Sequence, residues 1–368
     1  MRKIFVSVIF VVLMCMSANA DIVYLTESGG MGSISVTDSF SVNLLGIQYT
    51  STASDPFLAS YWNGSDSRVI LIDRTTNTQT SGDAALIFKP DNLTTPENAK
   101  GVTLAGTYNT QAALGSYNGK ALFTASGASI HQYDTGDFSV ARVYTYSADT
   151  EPEIISLATG TTTVYALVRQ ETSRDIMLVF DGQLRDDVSQ NYAKHNVSDD
   201  AECFAWLNGT RLALAHSGGV SIWSNNRWNL TAASDAPVKA LCRDGGDGFY
   251  FAEQEESNGT YTTRLRHYSS NTKTISTLYT DDDAEVCCLV RDEDNNLLGA
   301  VIGDNILVYN MDIDNLLAEY DSESLGGEPV MLAMSYVKGD DGKTKSGCDI
   351  AGAGIIMILA GALIFRKN

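Results

Sequence analysis

Acidic turns are the residues of this chain best suited to chemistry. Asp292-Glu293-Asp294-Asn295-Asn296 and Asp244-Gly245-Gly246-Asp247-Gly248 each place carboxylates close together, and Asp281-Asp282-Asp283 adds another acidic run. Carboxylate oxygens on loops are the ligands that Ca²⁺ takes. Asp292, Asp294, Asp244 and Asp247 are therefore candidate cation ligands. None of these segments matches the spaced D-x-[DN]-x-[DN]-G pattern of a calcium loop. The Asp244–Gly248 stretch also falls where two strands need a tight turn, so solvated turns are the competing reading. No resident cofactor is expected, and Ca²⁺ is the one cation these turns suit.

Other chemistries find less support. Body cysteines are Cys203, Cys242, Cys287 and Cys288, enough for two disulfides in an exported chain, though adjacent Cys287 and Cys288 should not bond each other. The plainer alternative is four buried apolar thiols on strands. There is no C-x-x-C, and His131, His195, His216 and His267 are not spaced as ligands, which argues against zinc or haem. G-x-S-x-G, G-x-G-x-x-G and P-loop patterns are missing, so nucleophilic and nucleotide chemistry lack a starting point. Paired carboxylates for glycoside hydrolysis occur by chance in a chain with 45 acidic residues. Trp62, Trp206, Trp223 and Trp228 could stack on sugars or peptides, but recurring aromatic positions more often pack in a core. Six N-x-[ST] sequons read as Asn-rich turns.

Composition bounds the partners. With Arg2 and Lys3 removed, 23 basic residues face 45 acidic ones, a net charge of −22. Such a chain repels nucleic acid, which is excluded as a partner. Charged residues make up 19% of the chain, against 31 Gly, 17 Tyr and only six Pro, a mixture that suits strands and turns.

The elements that would position any site come from a repeat. A short apolar strand, a polar turn, a second apolar strand, another turn and a third strand recur along the body. Clear copies begin at Ala201-ECFAW and Glu285-VCCLV, with others at Ala112, Glu153 and Val238 and a weaker one at Phe57. Starts therefore fall near 57, 112, 153, 201, 238, 285 and 329. Asn-Gly and Gly-Asp-Asn turns supply the positive φ of tight hairpins. A period near 45 residues suits four-stranded blades of an all-β propeller, seven of them, with six or eight as alternatives. The last start, Pro329-VMLAMSYV, has no room for a whole blade. It is expected to pair with Ile22–Leu25 and Ser33–Thr37 and so join the two ends of the chain. Ile313–Tyr320, the one stretch of faint helical spacing, is expected to be an outer strand. Two β-sandwiches are the competing architecture. The organisation resembles generic YVTN/NHL-like propellers, although WD, kelch and Asp-box signatures are absent.

Both ends read as addresses. Met1-Arg2-Lys3, the apolar Ile4–Met14 and Ala18-Asn19-Ala20 form a secretory signal peptide, residues 1–20, cleaved after Ala20. At the other end Ser346-Gly347-Cys348-Asp349 precedes an uncharged run, Ile350–Phe365, and Arg366-Lys367. This tail, residues 348–368, resembles the Synergist-type CTERM sorting signals. The resemblance implies display at the cell surface, with Cys348 as a processing position acted on by a sorting protease and open to lipidation. As a helix the 16-residue run would reach ~24 Å at ~1.5 Å per residue, short of a ~30 Å bilayer core. A plain single-pass anchor is the alternative. Residues 21–337 are then the propeller and 338–347 a polar spacer.

Taken together, the sequence describes an exported, membrane-tethered propeller that binds a protein or glycan on one face of its ring. The alternatives are a hydrolase or lyase acting on carbohydrate or lactone, and an envelope scaffold.

Overall fold

The fold is described here by a computed structural model. It covers residues 21–334 apart from 37–38, 49–56, 63–66, 74–83, 98–101, 104–111, 114–120, 135–138, 147–151, 160–162, 171–175, 182–191, 199, 209–210, 225–226 and 293–294. Ala20, Cys348 and the tail lie outside the described residues. Among the described residues no helix is long and apolar enough to cross a membrane.

The chain is an all-β propeller whose described strands form seven four-stranded antiparallel sheets. One sheet joins β1 (Asp21–Thr26), β2 (Gly30–Ser35) and β3 (Ser41–Gln48) to the last strand. The next holds β4 (Phe57–Trp62), β5 (Ser67–Asp73), β6 (Ala84–Phe88) and β7 (Val102–Thr103). It is followed by β8 (Ala112–Ala113), β9 (Ala121–Ser126), β10 (Ser129–Asp134) and β11 (Val140–Thr145). Then come β12 (Glu153–Thr159), β13 (Thr163–Arg169), β14 (Ile176–Asp181) and β15 (Tyr192–Asn196). The fifth sheet is β16 (Cys203–Asn208), β17 (Arg211–His216), β18 (Gly219–Ser224) and β19 (Arg227–Ala233). The sixth is β20 (Val238–Arg243), β21 (Phe249–Ser257), β22 (Thr260–Ser269) and β23 (Thr274–Asp281). The seventh is β24 (Val286–Asp292), β25 (Leu297–Ile302), β26 (Asn305–Asn310) and β27 (Asn315–Tyr320). A single-turn helix, α1 (Ser322–Leu325), leads to β28 (Pro329–Met334). Of residues 313–320, the stretch with faint helical spacing, residues 315–320 form the outer strand β27, as expected.

The repeat in the sequence is the repeat in space, because each copy opens on the first strand of a sheet. These strands pack on one another in succession, β12 on β16, β16 on β20, β20 on β24, β24 on β28 and β28 on β4. First and second strands are covered on both faces by neighbouring sheets, which is why they read as unbroken apolar runs rather than alternating ones. Every residue of β25 is buried, whereas the outer strand β27 is mostly exposed. Separate apolar layers lie between successive sheets; Leu241, Phe249 and Phe251 of one sheet, for example, pack on Ala205, Ala213 and Ile222 of the one before. Tyr133 of β10 reaches the layer formed by β4, β5 and β6.

The two ends of the chain close one sheet. β28 pairs antiparallel with β1, setting Ile22 against Met334 and Tyr24 against Leu332. Tyr24 adds a buried hydrogen bond from its hydroxyl to the Leu325 carbonyl, 3.1 Å away. Turn chemistry matches the sequence: Asn258 (φ 56°) and Gly259 (φ 81°) form the two-residue connection from Ser257 to Thr260, where both central residues need positive φ.

A bulge recurs near the start of the first strands. The pairing skips Ile155 in β12, Lys239 in β20, Cys287 in β24 and Val330 in β28. One extra residue there bends the strand and increases its twist.

Candidate functional site

Among the described residues a cluster of four titratable groups lies between the sixth and seventh sheets. β22 presents His267, β21 presents Tyr250, the β20–β21 turn presents Asp244 and the β26–β27 turn presents Asp314. His267 sits between two carboxylates, with Nδ1 2.7 Å from Asp314 Oδ2 and Nε2 3.4 Å from Asp244 Oδ2. Its ring stacks on Tyr250 with centroids 4.3 Å apart. The Tyr250 hydroxyl donates to Asp314 Oδ1 at 3.0 Å and the Met311 carbonyl at 3.3 Å. Asp244 Oδ1 also accepts the Gly246 and Gly248 amides, at 2.7 and 3.1 Å.

These contacts set the protonation states. Burial alone would lower the His267 pKa, but the hydrogen bonds and charges of Asp244 and Asp314 outweigh it and hold it above its usual value. Burial would raise the Asp244 carboxyl, yet His267 and the turn amides bring it below the usual carboxylate range. Both imidazole nitrogens are taken by carboxylates, so His267 has no free position from which to take a substrate proton. The cluster is a clamp between two sheets.

The sequence-predicted cation ligands are not brought together. Asp244 belongs to that clamp. Asp247, four residues from the end of β20, turns to the preceding sheet instead: Asn208 Nδ2 donates to its Oδ1 and Arg211 pairs with its Oδ2 at 2.6 Å. The Asn208 hydrogen bond, aided by Arg211, holds this carboxyl below its ordinary range. Asp292 is buried and caps its own turn, accepting from the Asn295 amide at 3.1 Å and from Asn295 Nδ2 at 2.7 Å. Asp294 lies outside the described residues. Among the described residues no group of three or more His, Cys, Asp or Glu side chains is arranged to hold a metal.

The disulfide expectation is corrected: Cys203, Cys242, Cys287 and Cys288 are all free. Cys203, Cys242 and Cys288 lie in three different apolar layers, each between a different pair of sheets, which keeps them apart. Cys203 donates weakly to the Lys239 carbonyl, 3.7 Å away. Cys287 is the bulged residue of β24, and burial followed by the charges of Glu285 and Glu328 pushes its thiol up to about 12.

Tryptophans serve packing. Trp206 is buried in the layer shared with β12 and β13, and the Arg243 guanidinium lies 4.8 Å from its ring centroid. Trp223 and Trp228 face each other across β18 and β19, 5.2 Å apart. The Trp62 side chain lies outside the described residues.

Sequence reasoning missed a cleft between the fifth and sixth sheets, of about 410 Å³. Arg227 and Asn229 of β19 line one wall, Lys273 of the β22–β23 turn lines the other, and Tyr268 contributes to the floor. The Arg211–Asp247 ion pair closes one end. Asn229 Nδ2 is oriented by Ser224 Oγ at 3.2 Å and the Arg227 carbonyl at 3.4 Å. Tyr268, 5% exposed, stacks on Phe249 with centroids 5.0 Å apart. Arg227 and Lys273 are exposed and form no ion pair among the described residues. No sequence signal points here, because strand register brings together residues from two sheets with no motif in common.

Comparison with known proteins bears on the fold. No family model matches the chain, and no curated protein matches it. Among solved structures it is similar to a periplasmic gluconolactonase from Pseudomonas aeruginosa, with a TM-score of 0.58 at 13% identity, covering 87% of this chain and 99% of that one. A protein from Bacteroides fragilis, provisionally assigned as a 6-phosphogluconolactonase, gives 0.56 at 12% identity, with coverage of 88% and 99%. An oligogalacturonate lyase in complex with manganese gives 0.52 at 10% identity, with coverage of 83% and 84%. At these identities the likeness is one of fold: an all-β propeller.

Proposed function

We propose that this chain is an exported, seven-bladed propeller tethered to the cell surface by its tail, binding a glycan or protein ligand on the exposed turns and clefts of its ring. The observation that carries the reading is the cleft between the fifth and sixth sheets. Its size falls within the ~300–1,000 Å³ range of small-ligand sites, and its walls carry three cations against one carboxylate in a chain that is otherwise strongly acidic. The seven four-stranded sheets support the blade number.

The tether rests on the residues of the two ends and on one feature of the closure. Ile22 and Met334 are direct partners, so the start of β1 and the end of β28 lie side by side at one edge of the closing sheet. Gly339–Lys345 then spaces the ring from the membrane.

Two measurements test the reading. Intact mass and C-terminal peptide mapping of protein extracted from its native envelope should show a chain ending near Cys348 with added lipid mass. Survival of Arg366-Lys367-Asn368 would replace the sorting signal by a plain anchor. Incubation of the full-length protein with oligosaccharides and sugar lactones should show retention without conversion. Turnover would overturn the binding role in favour of a hydrolase or lyase, and retention of nothing would remove the glycan ligand and leave a protein ligand or an envelope scaffold.

A further inference from the structure

Resting on the binding role just proposed, we infer that the cleft between the fifth and sixth sheets takes an acidic saccharide, one carrying a carboxylate on the sugar ring. Arg227 and Lys273 stand on opposite walls, one on β19 and the other in the β22–β23 turn, where it takes a positive φ of 58°. Neither makes a direct ion pair among the described residues, although the Lys273 charge reaches Asp247 at longer range and acidic residues outnumber basic ones by 45 to 25. Arg211, the third cation, is already committed to Asp247. Three cations, Arg211, Arg227 and Lys273, thus line a volume whose one carboxylate is Asp247, and the excess of positive charge favours an anion there.

The rest of the lining narrows the class. Asn229, Thr231 and Ser270 offer amide and hydroxyl groups that both donate and accept, as a polyhydroxyl ligand requires. Asn229 is itself held in place by Ser224. Tyr268 supplies a largely buried aromatic ring fixed by stacking on Phe249, and its hydroxyl has no hydrogen-bond partner among the described residues. Leu230, 59% exposed, adds an apolar contact for the C–H face of a sugar ring. A bare phosphate would leave most of this surface unused.

The test is calorimetric titration of the full-length protein with trimannuronate and, in parallel, mannotriose, which differ only in the oxidation state of C6. Trimannuronate should bind at least tenfold more tightly, and its affinity should fall as salt rises, as expected for exposed charges. Arg227→Gln and Lys273→Gln should each weaken it at least fivefold, while Lys239→Gln, whose ammonium pairs with Glu202 away from the cleft, should leave it unchanged. Equal binding of the two sugars, or unchanged affinity in the Arg227→Gln/Lys273→Gln double variant, would overturn the assignment. So would equal affinity for inorganic phosphate or hexaglutamate. Proton NMR of the sugar during titration separates the two readings. Cleavage of trimannuronate would sink the binding role while leaving the cleft assignment standing. Failure of the sugar to bind would sink the cleft alone.

Discussion

The imidazole of His267 and the carboxylate of Asp314 meet at 2.7 Å across the boundary between the sixth and seventh sheets. With Asp244 on the other nitrogen, this contact couples two sheets through charge rather than through apolar packing.

Its stability effect depends on pH. His267 has a folded pKa above its ordinary 6.5, so its contribution is fully present below that value and is lost as pH rises through the folded pKa. Asp244 runs the other way, contributing above about 3.8 and losing that contribution as pH falls through its depressed folded value. The clamp is therefore strongest in mildly acid solution. His267→Gln should cost about 1.5–3 kcal/mol near pH 5.5, the range for hydrogen bonds to charged groups, and clearly less at pH 8.5. Denaturant titrations at the two pH values check this, and an equal loss at both would remove the charged clamp.

Glu253 is 2% exposed and lies between Arg266 at 3.0 Å and Arg264 at 3.5 Å, with Ser234 Oγ donating to it. Removing Arg266 leaves the buried carboxylate with only the longer Arg264 contact and the Ser234 hydroxyl, so Arg266→Ala should cost about 1.5–3 kcal/mol, the range for a hydrogen bond to a charged group. Exchanging both members for apolar residues, as Glu253→Leu with Arg266→Met, should recover most of that loss. Thermal unfolding of the two single variants and the pair would show whether the ion pair stabilises the fold or only avoids a penalty.

Gly32 faces Tyr24 within the closing sheet, where a Cβ would stand 2.2 Å from the Tyr24 Cζ. Gly32→Ala should therefore destabilise by at least about 1–3 kcal/mol, the usual cost of overpacking. Gly299 is milder, its Cβ meeting Leu332 and Val290 side chains at 3.1 Å. A smaller loss in Gly299→Ala than in Gly32→Ala, read from urea midpoints, is the expected order.

Thiol chemistry should be silent in the native protein. Alkylation in denaturant without reductant should modify Cys203, Cys242, Cys287 and Cys288 alike, and added reductant should not shift the melting temperature. Cys287, largely buried and with its thiol pushed up to about 12, should react slowly at pH 8 in the folded state. Peptide mapping that recovers any two of these cysteines still linked would contradict the free-thiol assignment.

What could be read before the structure follows from how propeller sheets are packed. First strands such as β16 and β24 are buried on both faces and show as apolar runs, and Asn258-Gly259 marks a turn by its backbone need. The pairing of Pro329–Met334 with the N-terminus was legible as well, because a lone last strand needs partners. Site chemistry was hidden for the opposite reason. Asp244, His267 and Asp314 come from three separate segments, and only strand register brings them together. Asp247 and Asp292 looked like free ligands because sequence does not show that Arg211 and Asn295 already occupy them.

The pairing of β1 with β28 also sets when the molecule can fold. Tyr24 and Leu325, joined by a hydrogen bond, are 301 residues apart, so the closing contact spans nearly the whole domain. Such long-range pairing is slow, since loop-closure entropy must be met before any contact repays it. While β28 is still unmade, the N-terminal strands β1, β2 and β3 have an open edge where their innermost neighbour belongs. The ring cannot lock until the last strand has been made, so the closing sheet is completed only after β28 has left the synthesising machinery.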